Sequence, residues 1–160
     1  MFNNTQALSE SDKKGGDFKP YKKGLYILTV TDFKEGETDE KIWQGSGFVP
    51  TGNKIPQLEL KFALMQTDGL VTVQDVDGKE YQNPPYRVWI DDSNLGWNKK
   101  EKGPKVGRAI LSALLNVPAD GDISFGKAED LIGKQFKAYL GIKDVNGKEK
   151  NELLDILPVA

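Results

Sequence analysis

The chain has 160 residues, 38% of them hydrophobic, and its 22 Lys and Arg against 24 Asp and Glu give a formal net charge of −2. It contains no cysteine and no histidine, which removes disulfides, thiolate ligands, thiol nucleophiles and imidazole acid–base groups and so excludes most enzyme classes and most zinc sites. The length fits one ordinary domain, no apolar run approaches the roughly 20 residues of a membrane-spanning helix, and the acidic total speaks against coating duplex DNA by bulk positive charge while leaving room for a local basic groove.

Residues 1–19 carry few apolar side chains and a Lys-Lys-Gly-Gly step, and they are expected to form a mobile arm ahead of a single domain at 20–160. The arm lacks the apolar stretch of a secretory signal, so a cytoplasmic protein is expected. From Gly24 the pattern turns to period two, with Tyr26, Leu28 and Val30 on one parity, and predicts a strand over 24–33. Residues 32–56 are rich in Gly and polar side chains and predict a long loop, of the length that is usually functional or disordered. In 57–66, Leu58, Leu60, Phe62 and Leu64 form an unbroken apolar face opposite Gln57, Glu59 and Lys61, a second strand. Leu70–Val73 continues a meander into a hairpin turn at Asp77-Gly78. Tyr86, Val88 and Ile90 then alternate with Arg87 and Trp89 in a third strand over 84–90.

Gly103-Pro104 opens a predicted helix over 104–115, since proline suits a first helical position. Val106, Ile110, Ala113 and Leu114 fall on its inner face, with Lys105, Arg108 and Ser112 solvated on the other. Gly107 weakens such a helix by about 1 kcal/mol relative to Ala and points to a close backbone approach. Strands over 134–142 and 152–158, joined through an Asn146-Gly147 turn, complete the order. A mainly β protein is expected: a small antiparallel five-stranded barrel of the oligonucleotide-binding type, its one short α-helix lying between the third and fourth core strands.

Three constellations suggest what such a barrel would bind. The first is Trp97–Arg108, where Lys99, Lys100, Lys102, Lys105 and Arg108 face Glu101 alone. Cations beside an exposed aromatic suit single-stranded nucleic acid, because they hold phosphates while rings stack on unpaired bases, and a helix N-terminus adds to the attraction. The same run also fits an ordinary solvated face. The second comprises Arg87 with Trp89 and Lys137 with Tyr139, each pair on the outward parity of its strand. They either stack bases and hold phosphates or cover the second side of a twisted sheet. The third is the Gly-rich loop, whose Trp43 and Phe48, flanked by Lys41 and Lys54, either fold over a ligand or pin the loop to the barrel. From Asp32 to Glu40 five carboxylates face Lys34 alone, so a phosphate path should avoid that stretch.

Enzyme signals are poor. Ser46 has no histidine to activate it, and no phosphate loop occurs. The repeats at Asp75–Glu80 and Asp144–Glu149 lack calcium-loop spacing and read as hairpin turns. Asp91-Asp92 is a bare pair on which only a magnesium-dependent nuclease could be built. No metal or cofactor is expected.

Gly24-Leu25-Tyr26, Pro56–Phe62, Arg87-Val-Trp-Ile90, the short helix, Leu131-Ile-Gly-Lys134 and Asn151-Glu-Leu-Leu154 together give residues 24–158 an arrangement that resembles bacteriophage single-stranded DNA-binding proteins encoded near recombination and replication genes. The resemblance implies a barrel fold and a role in protecting or presenting single strands during phage replication or recombination, in the cytoplasm of an infected bacterial host. Implied partners are single-stranded DNA, with RNA as an open alternative, further copies of the chain, and replication or recombination proteins. The ending LLDILPVA differs from the acidic recruiting tail of bacterial single-strand binders. From a different class, a protein-interaction module or phage accessory component using the same exposed tryptophans is the alternative expectation.

Overall fold

The computed structural model describes residues 19–98, 100 and 102–159. The arm expected at 1–19, Lys19 apart, lies outside the described residues, as does Lys99. In chain order the elements are β1 (Gly24–Trp43), β2 (Phe48–Gln66), β3 (Thr72–Gln74), β4 (Glu80–Gln82), β5 (Pro85–Asp91), β6 (Trp97–Asn98), β7 (Gly103–Pro104), α1 (Val106–Leu115), a 3-10 turn at Ala128–Leu131, β8 (Gln135–Val145) and β9 (Lys148–Pro158). Among the described residues the fold is mainly β, every ladder is antiparallel, and α1 falls between the third and fourth long strands.

The five long strands make one sheet in the order β5-β2-β1-β8-β9. Period-two patterning puts Tyr26, Leu28, Val30, Leu60, Phe62, Leu64, Val88, Ile90, Phe136, Ala138 and Leu140 on the inner face, all buried. Phe62 and Phe136 meet edge to face at 5.2 Å. Ile110, Leu111 and Leu114 of α1, with Leu131, close this single core. Truncating a fully buried leucine here, such as Leu60, should cost about 2–5 kcal/mol.

Among the described residues no ladder joins the edge strands β5 and β9, so the sheet is open. Its edges are nevertheless bridged. Tyr21 donates its hydroxyl to the Pro85 carbonyl on β5 (3.0 Å). Its backbone N–H reaches Asn151 Oδ1 on β9 (2.8 Å) and its carbonyl accepts from Asn151 Nδ2 (3.0 Å). Helix α1 touches β5, β8 and β9. The β3–β4 hairpin is a separate two-stranded sheet anchored on buried Asp75, which accepts from the Tyr81 hydroxyl and from the N–H groups of Asp77 and Lys79. Burial, and then that bond to Asp75, push the Tyr81 phenol up to about 12. The turns at Asp77-Gly78 and Asn146-Gly147 are formed as expected, with Gly78, Asn146 and Gly147 at positive φ.

Three expectations are corrected. Residues 32–56 are not a loop: β1 and β2 run on, paired through Trp43↔Phe48, as a long ribbon. A strand pattern is hidden there by Gly36, Gly52, Pro50 and Pro56, and by register shifts at Val30/Asp32 and Asp39/Lys41. The helix begins at Val106 rather than 104, because Gly103-Pro104 pairs with Trp97-Asn98 instead. Val106 is exposed, and Gly107, Ile110, Leu111, Ala113 and Leu114 form the buried side. Asn116 in the left-handed region ends the helix, its N–H and that of Val117 capping the Ala113 and Ser112 carbonyls.

Candidate nucleic-acid interface

On the outer face, cross-strand register decides which side chains meet. Glu59 lies opposite Trp89 on β5 and Lys34 on β1; Lys61 lies opposite Arg87 and Asp32. Trp89, 48% exposed, donates its indole N–H to Glu59 Oε1 at 3.1 Å. Arg87 pairs through Nε with the other oxygen of the same carboxylate, also at 3.1 Å. One carboxylate therefore holds the orientation of both a planar aromatic and a guanidinium. The patch carries three cations, Lys34, Lys61 and Arg87, against Glu59 and Asp32.

Lys34 and Lys61 were not singled out by sequence reasoning. Strict alternation from Tyr26, Leu28 and Val30 puts Lys34 inward. The register shift between Val30 and Asp32 reverses that parity, packing Phe33 on the core and turning Lys34 outward.

β5 ends in a turn that leads directly to the basic stretch. Asp91 accepts from the Ser93 N–H and hydroxyl, and Asn94 donates to the Trp89 carbonyl at 2.8 Å. Asp91 is thus a turn cap beside exposed Asp92, and among the described residues no cluster of three or more acidic ligands is present. Trp97-Asn98 and Gly103-Pro104 pair as a small hairpin. Lys100 and Lys102 are exposed at its tip, and Trp97 is exposed at its base. Lys105, the N-cap of α1, reaches the Ser93 carbonyl with its ammonium.

The hairpin is seated by Gly107. A Cβ there would collide with Asn94 Oδ1 and come within 2.9 Å of the Asn94 carbonyl, the close approach that its presence in a helix suggested. Arg108 is corrected from its expected place on a solvated face. Its guanidinium donates to the carbonyls of Ala119 (2.6 Å), Gly121 (2.6 Å) and Leu95 (3.3 Å), clamping the loop after α1.

The remaining candidates lie elsewhere. Lys137 and Tyr139 are half-buried on the outer face of β8, where Tyr139 is opposite Leu25 of β1. The Trp89 row meets β1 at Lys34, nine residues beyond Leu25, and the Arg87 row meets it at Asp32, five beyond the Ile27 that faces Lys137, so about 30 Å of strand separates the two rings and about 17 Å the two cations. Trp43 and Phe48 are at the ribbon tip, rings edge to face at 5.3 Å. Lys41 is exposed below them, and Lys54 is bound to Asp39 at 2.5 Å. That hydrogen bond, with the attraction between the two charges, holds the Asp39 carboxyl below its usual range and raises the Lys54 ammonium. The structure therefore sets Arg87 and Trp89 side by side on β5 and Trp97, Lys100, Lys102 and Lys105 on the segment that follows its terminal turn, and places the ribbon residues and the β8 pair elsewhere on the sheet.

No model of a known protein family matches the chain, and no curated protein sequence matches it. No helix among the described residues is long and apolar enough to cross a membrane.

Proposed function

We propose that the protein is a sequence-tolerant single-stranded DNA-binding protein, a non-enzymatic component of phage DNA replication or recombination in the cytoplasm of an infected bacterial host. The observation that carries this is the β5 edge: exposed Trp89 braced by Glu59, with Lys34, Lys61 and Arg87 around it and the Lys100/Lys102 hairpin following after the turn that ends this strand. A ring that keeps one orientation offers a base a preformed stacking surface, and the cations beside it take up the backbone. Stacking needs no particular base, hence the tolerance of sequence.

The fold reading that accompanies it is an oligonucleotide-binding barrel opened along one seam. In support, the sheet order sets the third long strand at one edge and the fifth at the other. Tyr21 and α1 span the gap between them, and the helix lies between the third and fourth long strands as in that barrel. The bacteriophage resemblance rests on the same strands.

Titration of the protein with oligo-dT, oligo-rU and duplex DNA at two salt concentrations tests the function. Single strands should bind and quench tryptophan fluorescence, duplex should bind far more weakly, and affinity should fall as salt rises. Equal binding of duplex, or none of any, would overturn it.

A further inference from the structure

The ribbon does not suit a polyanion. Beyond Gly36 and Gln57 neither of its edges is paired to another strand among the described residues, and its seven further residues on β1 carry the tip about 23 Å from the body of the sheet. At that tip Ile42, Trp43, Phe48 and Val49 are 47%, 61%, 69% and 42% exposed. Trp43↔Phe48 and Ile42↔Val49 are successive pairs, so they point to opposite faces of the ribbon and leave the finger apolar on both sides. Its stem carries Glu37, Asp39 and Glu40 against Lys41 and a Lys54 already bound to Asp39. Phosphate backbones and anionic membranes are repelled by such a stem.

A complement of this finger lies on the same chain's described surface, on the outer face of β8 and β9. Leu25, Tyr139 and Leu154 form one cross-strand row, and Leu157 lies in the next beside Lys137. Leu25, Leu154 and Leu157 are exposed. Further along the same face Lys143 stands directly opposite Lys150, with Glu152 the one acid between. An apolar row followed by paired lysines matches an apolar tip followed by an acidic stem, in the same order.

We infer that the ribbon tip of one molecule seats on the Leu25–Tyr139–Leu154 row of a second copy, its acidic stem lying along Lys143 and Lys150. Tip and row are different surfaces, so the contact is head-to-tail and propagates in one direction. Four tip residues bury well under the roughly 800 Å² per partner of a standard interface. The contact is therefore weak between free molecules and strengthened when copies are held on one strand at high local concentration. That last consequence, cooperative coverage of a strand, rests on the single-strand reading; the contact itself does not.

Sedimentation of the nucleic-acid-free protein up to its solubility limit tests the contact, and a short oligonucleotide that holds one copy tests strand binding separately. The wild type should self-associate, less so at high salt. W43A/F48A should weaken association by roughly thirtyfold or more, the loss of an aromatic anchor. L154E/L157E should do the same, as should K143E/K150E, which leaves the apolar row untouched and so guards against a misfolded variant. Mixing W43A/F48A, with its intact row, and L154E/L157E, with its intact tip, should restore one-to-one dimers that grow no further. A wild type that stays monomeric at every concentration would overturn the inference. So would a mixture, both components folded, that fails to dimerise, because the tip would then be meeting another tip.

Discussion

Trp89 and Trp43 are both exposed tryptophans on strands of one sheet, yet their surroundings are opposite in charge. Trp89 lies in a sheet row, tied to Glu59, with Lys34, Lys61 and Arg87 as neighbours. Trp43 stands at the end of a ribbon against Phe48, over a stem dominated by carboxylates. An exposed aromatic ring is a general-purpose contact, and the charge around it decides what it contacts. Cations near Trp89 favour a nucleic-acid backbone; acids near Trp43 favour a protein with an apolar, lysine-flanked face.

The contrast can be broken most forcefully at the rings. Trp89→Ala should weaken oligo-dT binding roughly 5- to 150-fold, the worth of about 1–3 kcal/mol for one stacked base, while leaving the thermal transition in place. Trp43→Ala should leave affinity for a short oligo-dT unchanged. Comparable losses in both, measured by fluorescence anisotropy with a labelled strand, would erase the distinction.

Next in size is the hairpin beyond Trp89. Replacing Lys100 and Lys102 together by Ala should flatten the log–log salt dependence by about 0.7 for each phosphate that is no longer neutralised. An unaltered slope would remove the hairpin from the site. Replacing the ribbon cations Lys41 and Lys54 by Ala should not move the slope.

Gly107→Ala examines what holds the hairpin beside Trp89. Helix propensity alone would make alanine stabilising by about 1 kcal/mol. The collision of a Cβ with Asn94 Oδ1, with the Asn94 backbone at 2.9 Å, introduces an overpacking cost of about 1–3 kcal/mol. A lowered denaturation midpoint is expected, and a raised one would show that the packing against Asn94 is loose.

The smallest effect has an informative sign. Glu59→Gln keeps a hydrogen-bond acceptor for Trp89 and removes a negative charge from the cationic patch. Binding should tighten roughly two- to fivefold, the scale of one partly exposed ion pair. Weaker binding would mean that Glu59's hold on the two side chains outweighs its repulsion of phosphate.

Much of the fold was legible because period two is a strong signal where one face is buried. Leu58, Leu60, Phe62 and Leu64 marked their strand unaided, as did Phe136, Ala138 and Leu140, and Asn146-Gly147 marked its turn. The ribbon was not legible, since neither of its faces is buried and hydrophobic alternation has nothing to report there. Lys34 was hidden by a single bulge, which inverts the parity of the residues that follow it. At the site, composition revealed the basic run and the outward Arg87-Val-Trp89 spacing. It could not show that Arg108 commits its guanidinium to three carbonyls, because the clamped residues Ala119 and Gly121 are brought to it only by the turn after α1. Nor could it show that the rows of Trp89 and Tyr139 cross β1 nine residues apart, which depends on register.

The chain's three tryptophans allow the two regions to be read one at a time. A variant keeping only Trp89 (W43F/W97F) and one keeping only Trp43 (W89F/W97F) should be titrated with a short oligo-dT at low salt. Trp89 fluorescence should be quenched to saturation while Trp43 fluorescence stays flat. Quenching of Trp43 with Trp89 unaffected would contradict the placement of the strand on the β5 edge and move it to the ribbon.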